Sequence, residues 1–154
     1  MFTPPELTDY LHEHIPVSAA MGLQVDAVEW NTLRLRFPLV PNLNHNSTAF
    51  GGSLSSALML AGWSLVHARL RHLNYDTILV VSKSETKFTK PVDGDFVAIC
   101  EHDDEDDWQF FRDCLEQRGR AKLRVKTRVE LGEVVSATMS GAFVAIDRNE
   151  ARDD

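Results

Sequence analysis

The sequence predicts an α+β fold in which one long helix is wrapped by a largely antiparallel β-sheet. Three observations lead there. Residues of about 52–72 carry apolar side chains nearly all round a helical wheel (Leu54, Ala57, Leu58, Leu60, Ala61, Trp63, Leu65, Val66, Ala68, Leu70), so this helix must be buried on several sides. Stretches of period-two alternation stand before and after it. Turn signals, rather than helical spacers, separate most of those stretches.

The elements follow in order. Pro4 and Pro5 sit where a first helical turn tolerates proline, and Leu7, Tyr10 and Leu11 recur at helical spacing, which predicts a short helix over about 4–14. Ile15-Pro16 ends it. Between Leu23 and Leu39, Leu33, Leu35 and Phe37 alternate with Arg34 and Arg36, the pattern of a half-buried strand. A turn at Glu29-Trp30-Asn31-Thr32 divides this stretch into two strands. The long helix comes next, with Arg69, Arg71 and His72 in its last turn, where cations suit the dipole, and Asn74 as its stop. Strands are predicted at Thr77 to Lys90, at Asp95 to His102, and at Ala121 to Ala145 folded at Leu131-Gly132-Glu133. Pro91-Val92-Asp93-Gly94 is a turn signal between the first two. In the insertion from Asp103 to Gly119, Trp108, Phe111, Cys114 and Leu115 are spaced as on a short helix.

The chain has 154 residues, enough for one domain with a sizeable core; residues 1–148 read as that domain and 149–154 as an acidic, frayed tail. The longest apolar run, Ala57 to Ala61, is too short to span a bilayer, and the N-terminus has no signal-peptide pattern. The two cysteines, Cys100 and Cys114, fit no metal-ligand spacing, so a reduced, cytoplasmic setting is the expectation. A formal net charge of -7 argues against nucleic acid as a partner.

The chemistry concentrates at the entrance to the long helix. Asn42, Asn44, His45, Asn46, Ser47 and Thr48 form a polar loop that runs into Phe50-Gly51-Gly52-Ser53. The first N–H groups of a helix lack internal partners, and the dipole there favours negative charge. Such a junction suits an oxygen that becomes anionic during a reaction.

Order and motifs together resemble the hot-dog fold of acyl-thioester enzymes. In hot-dog thioesterases this loop commonly reads N-x(3)-T-x-H-G-G, with a carboxylate about two turns into the helix. Asn44 matches the Asn, Thr48 the Thr, and Gly51 and Gly52 the two glycines. Phe50 replaces the His, and Met59 stands where the carboxylate is expected. The strings PNLN, TAFGGS, LAGW and RGRAK resemble a narrower bacterial family of thioesterase-like hot-dog proteins that includes malonyl-acyl-carrier-protein decarboxylases. That resemblance covers about residues 7–146, without the acetyltransferase-like domain some members carry. It implies that the second Asn of the PNxN loop, here Asn44, is catalytic. It also implies a substrate carried on phosphopantetheine (acyl carrier protein or coenzyme A), no cofactor, and a homodimer whose sites lie at the subunit interface.

Each candidate has a plain alternative. Asn44 either serves the reaction or satisfies its own loop. Gly51 and Gly52 either offer N–H donors to substrate or permit close packing. His45 either gives a proton to the enolate carbon or is an idle loop residue. Phe50 is read as lining the acyl pocket or the core, and Thr48 as a further substrate contact. Ser53 is read as a helix-start residue bonded to backbone. His67, on the apolar helix, is read as a hydrogen-bonded structural histidine. Arg118, Arg120, Lys122, Arg124 and Lys126 are either a solvated face or a docking stripe for an acidic carrier protein or the phosphates of coenzyme A, with Lys83, Lys87 and Lys90 as further candidates. Met59 cannot take a proton, so water activation has no obvious base. Decarboxylation of a malonyl thioester needs only hydrogen-bond donors for the enolate oxygen. Three readings follow: malonyl-thioester decarboxylase, acyl-thioester hydrolase, and acyl-thioester binding module without turnover.

Overall fold

A computed structural model describes residues 1–152. Its centre is helix α3 (Gly51–His72), about 33 Å long at the usual rise. A six-stranded antiparallel sheet curls round it: β1 (Gln24–Val28), β2 (Thr32–Phe37), β3 (Thr77–Phe88), β4 (Phe96–Glu101), β5 (Arg120–Leu131) and β6 (Val134–Asp147), in the spatial order β1-β2-β4-β5-β6-β3. This is the hot-dog architecture. The period-two pattern explains the layering. Leu33, Leu35 and Phe37 of β2, Phe96, Ala98 and Cys100 of β4, and Leu123, Val125 and Val129 of β5 turn inward onto α3 and are buried. Gly62 sets how closely α3 can approach, because a Cβ there would lie 2.8 Å from the Phe143 ring and 3.0 Å from Val125.

Helix α1 (Pro4–His14) opens with a reciprocal Thr3–Glu6 capping box and buries Leu7 and Leu11. Helix α4 (Glu105–Arg118) is the predicted insertion; it is capped by Asp104 and buries Trp108, Phe111 and Leu115. No helix among the described residues is long and apolar enough to cross a membrane.

Several expectations need correction. Ile15-Pro16 ends α1 but also starts a second short helix, α2 (Pro16–Ala20), because proline's fixed φ suits a first helical position. The turn signal at 91–94 does lie between β3 and β4, but the two strands do not pair. β3 pairs with β6 along its length, from Thr77↔Asp147 to Phe88↔Ala137, and 91–94 leads past β6 and β5 to β4, which pairs with β2 and β5. β3 is therefore an edge strand. Within the acidic tail Glu150–Arg152 form a 3₁₀ turn, with the Glu150 side chain over Gly119. The rest of the predicted tail lies outside the described residues.

The C-terminal half of α3 differs most from expectation. Arg69 is not a surface cation serving the dipole; it is fully buried. Its guanidinium lies 5.0 Å from both the Trp30 and the Trp108 ring centroids and donates to the Trp30 carbonyl, Asn31 Oδ1 and the His102 carbonyl. It thereby ties the β1–β2 turn, the end of β4 and α4 to one point. His67 is not held by hydrogen bonding at Nε2, which is buried without a partner among the described residues. The ring is stacked between Trp63 at 4.5 Å and Tyr10 at 4.8 Å, which fastens α1 to α3. Burial, reinforced by the charges of Arg71 and His14, holds its pKa down at about 4.

Candidate functional site

The polar loop is a closed ring seated on a buried amide. A 3₁₀ turn at Val40–Asn42 leads out of β2. Asn42 is 1% exposed, and its Nδ2 donates to the carbonyls of Met21 at 2.9 Å and Pro38 at 2.8 Å. Its own carbonyl accepts the Phe50 N–H at 2.7 Å, so both ends of the loop meet at this residue. Leu43 and Ala49 form a β-bridge across the ring, and the Ala49 N–H donates to the Val92 carbonyl at 2.7 Å. Ser47, with φ of 60°, turns the chain at the tip.

Asn44 lies inside this ring, half-buried. Its Oδ1 accepts the N–H groups of Asn46 at 2.8 Å and Thr48 at 3.1 Å, while its Nδ2 donates to Thr48 Oγ1 at 2.8 Å. Rotating the amide by half a turn would set its NH₂ against two N–H donors, so the orientation is determined. The local role foreseen for Asn44 is thus real. It also has a chemical consequence: the oxygen is fully used by the loop, and one Nδ2 hydrogen remains as the group's unengaged donor. Asn44 can donate to a substrate oxygen and cannot act as a base.

The helix entrance separates the two glycines. Phe50 is the N-cap, with no side-chain cap, and its ring is 57% exposed. The ring folds over Gly52, where a Cβ would fall 2.5 Å from it. Gly51 instead opens onto a cleft of about 310 Å³ lined by Ala49, Leu54, Phe88, Lys90 and Val92 among others. Phe88 is 54% exposed, with its ring 3.9 Å from where a Gly51 Cβ would stand. The first-turn N–H groups, which have no partner within the helix, therefore begin beside a partly apolar cleft.

Other candidates stand apart or do something else. His45 is exposed on the loop. Thr48 is bonded to Asn44 and acts on its amide. Ser53 lies in the first turn, half-buried, and makes no side-chain capping bond; Phe50 takes the cap position, and Ser53 comes three residues too late to fill it. Met59 is partly buried against the core. Arg118, Arg120 and Lys122 do not gather at the loop. They line a separate groove beside α4, near the opposite end of α3. Cys100 is buried, and burial pushes its thiol up to about 12, so it is no nucleophile. No group of three or more His, Cys, Asp or Glu among the described residues is placed to hold a metal ion. The residues not anticipated are Asn42 as the loop's anchor and Phe88, Leu54 and Val92 as the cleft.

Solved structures share this fold. A protein of unknown function from Chlorobaculum tepidum TLS superposes with a TM-score of 0.87 at 30% identity, covering 94% of this chain and 97% of that one. A protein described as the "putative thioesterase from Shewanella oneidensis" superposes with a TM-score of 0.82 at 25% identity, covering 93% and 96%. Over residues 5–147 the sequence matches the family described as "Putative thioesterase (yiiD_Cterm)", and the chain belongs to that family.

Proposed function

We propose that the protein processes acyl thioesters carried on phosphopantetheine, and that its reaction is decarboxylation of a malonyl thioester. The bond between the methylene carbon and the carboxylate breaks, its electron pair becomes the enolate of the acetyl thioester, and CO₂ leaves. A proton from water or from His45 then completes the acetyl group. The barrier falls to the extent that donors meet the enolate oxygen. Asn44 Nδ2–H and the Gly51 N–H are those donors, and the cleft beside Phe88 receives the acyl portion. The single observation that carries this reading is the clamped Asn44 amide, which offers a donor and no base. Met59, where hot-dog hydrolases commonly carry a carboxylate, supplies none either.

Hydrolysis is the second reading, favoured by the description of the family and of the Shewanella protein. The same donors would then hold a tetrahedral oxyanion. The proposal includes a homodimer joined along β3. A free edge strand exposing Val80, Val81 and Phe88 supports it, since such an edge normally finds a partner.

Incubation with malonyl-carrier protein or malonyl-coenzyme A separates the readings. Acetyl thioester plus CO₂ is the expected outcome. Free thiol with intact malonate would establish hydrolysis, and saturable binding with neither product would leave a binding module. Asn44→Ala should lower the rate by roughly 10²–10³-fold, the cost of one oxyanion donor, and should also lower the melting temperature, because three hydrogen bonds of the loop go with the side chain. Full activity in that variant would sink the mechanism.

A further inference from the structure

We propose that the groove between α4 and the outer face of β5 docks an acidic amphipathic helix of a protein partner. The chain is acidic overall, with a formal net charge of -7, yet the outer face of β5 is a row of cations. Arg120, Lys122, Arg124 and Lys126 alternate along the strand, all exposed. Among the described residues none of the four is in an ion pair or a side-chain hydrogen bond, whereas Arg36, Lys83, Arg112, Arg128 and Arg148 all have carboxylate partners. Four neighbouring cations without counter-ions repel one another, and a partner's carboxylates would relieve that repulsion.

The second observation is apolar. The first two cations and Arg118 rim a groove of about 760 Å³ whose lining includes Phe110, Cys114 and Val144. α4 already buries Trp108, Phe111 and Leu115 against the body of the protein. Phe110 and Cys114, one turn apart, form a second apolar stripe, and Phe110 is left 68% exposed. An aromatic side chain beside arginines is the usual composition of a binding hot spot.

Shape selects the occupant. Alternate residues on a strand recur about every 6.7 Å, close to the roughly 6 Å between positions i and i+4 of a helix, so a helix with acidic residues on one face can match the row. The row is short, about 20 Å from Arg120 to Lys126. At its far end Arg128 is already held by Glu101 and Glu130, and at its near end Glu150 covers Gly119. A long polyanion would run onto these carboxylates, and a short helix would not. Naming an acyl carrier protein as the partner rests on the thioester reading; the surface itself does not.

The test uses purified acyl carrier protein in its apo form, without phosphopantetheine, fluorescently labelled and titrated with the full chain. Saturable binding that weakens with salt is expected. The double variant Arg120→Glu/Lys122→Glu and the single variant Phe110→Ser should each weaken it about tenfold or more, while Arg71→Glu, an exposed charge outside the groove, should not. All these positions are exposed, and unchanged melting temperatures would establish that the variants fold. Absence of binding by the native chain, equal affinity in the groove variants, or displacement of the carrier by single-stranded RNA at matching affinity would each overturn the proposal. If the groove variants lose carrier binding while the native chain turns over no thioester, the surface stands and the enzymatic reading falls.

Discussion

At Gly51, α3 begins with an uncapped turn, a half-exposed Phe50 ring and an open cleft; at Arg69 the same helix is sealed, its cation fully buried between two indoles and bonded to three neutral acceptors. One helix thus has a stable end and an available end. The sealed end commits the Arg69 guanidinium to packing and to neighbouring acceptors. The open end leaves first-turn donors without partners, a state that lowers stability but suits a developing negative charge. The loop repeats the contrast on a smaller scale. Asn42 is buried and anchors the ring, while Asn44 keeps a donor for something outside it.

The largest effect should come from the sealed end. Arg69→Met should destabilise the fold by about 3–5 kcal/mol in urea unfolding, because the acceptors of Trp30, Asn31 and His102 lose their donor. A loss below about 1 kcal/mol would mean this end is no anchor. Next is pH. His67 has a folded pKa depressed from 6.5 to about 4, so the neutral ring is the folded form. Stability is full above pH 6.5 and should fall as pH drops from there to about 4, by roughly 3 kcal/mol from this residue. His67→Phe should flatten that part of the stability–pH curve; an unchanged slope would assign the effect elsewhere. Asn42→Ala should then cost about 2 kcal/mol by orphaning the Met21 and Pro38 carbonyls, with activity lost in proportion to loop disorder. The smallest effect sharpens the comparison most. Thr48→Val removes the acceptor that aims the Asn44 amide and should slow turnover by roughly fivefold, about 1 kcal/mol, with an unchanged melting temperature and recovery in Thr48→Ser.

Local pattern reached much of this. The all-round apolar character of α3, the alternation in β2 and β5 and the helical spacing in α4 are short-range signals, and each element lies where its pattern put it. Pairing partners are long-range facts. Nothing between Thr77 and Gly94 says that β3 meets β6; the Pro-Val-Asp-Gly turn signal marks a break between two strands and carries no information on which strands pair. Arg69 failed for the same reason: a basic residue in a last helical turn has a local explanation, and its burial depends on Trp30 and Trp108, far away along the chain. In the site, the spacing of Asn44, Thr48 and the glycines was legible as a motif. The hydrogen bonds that turn Asn44 into a pure donor were not, since they depend on the loop closing between Leu43 and Ala49.

The Phe50 ring over Gly52 ties two letters of the sequence into one unit. A methyl group at position 52 would push against the ring, and the largely exposed aromatic at 50 would have to swing aside to admit it. Alanine at position 52 would therefore displace the Phe50 ring from the helix entrance and change what the first-turn N–H groups face.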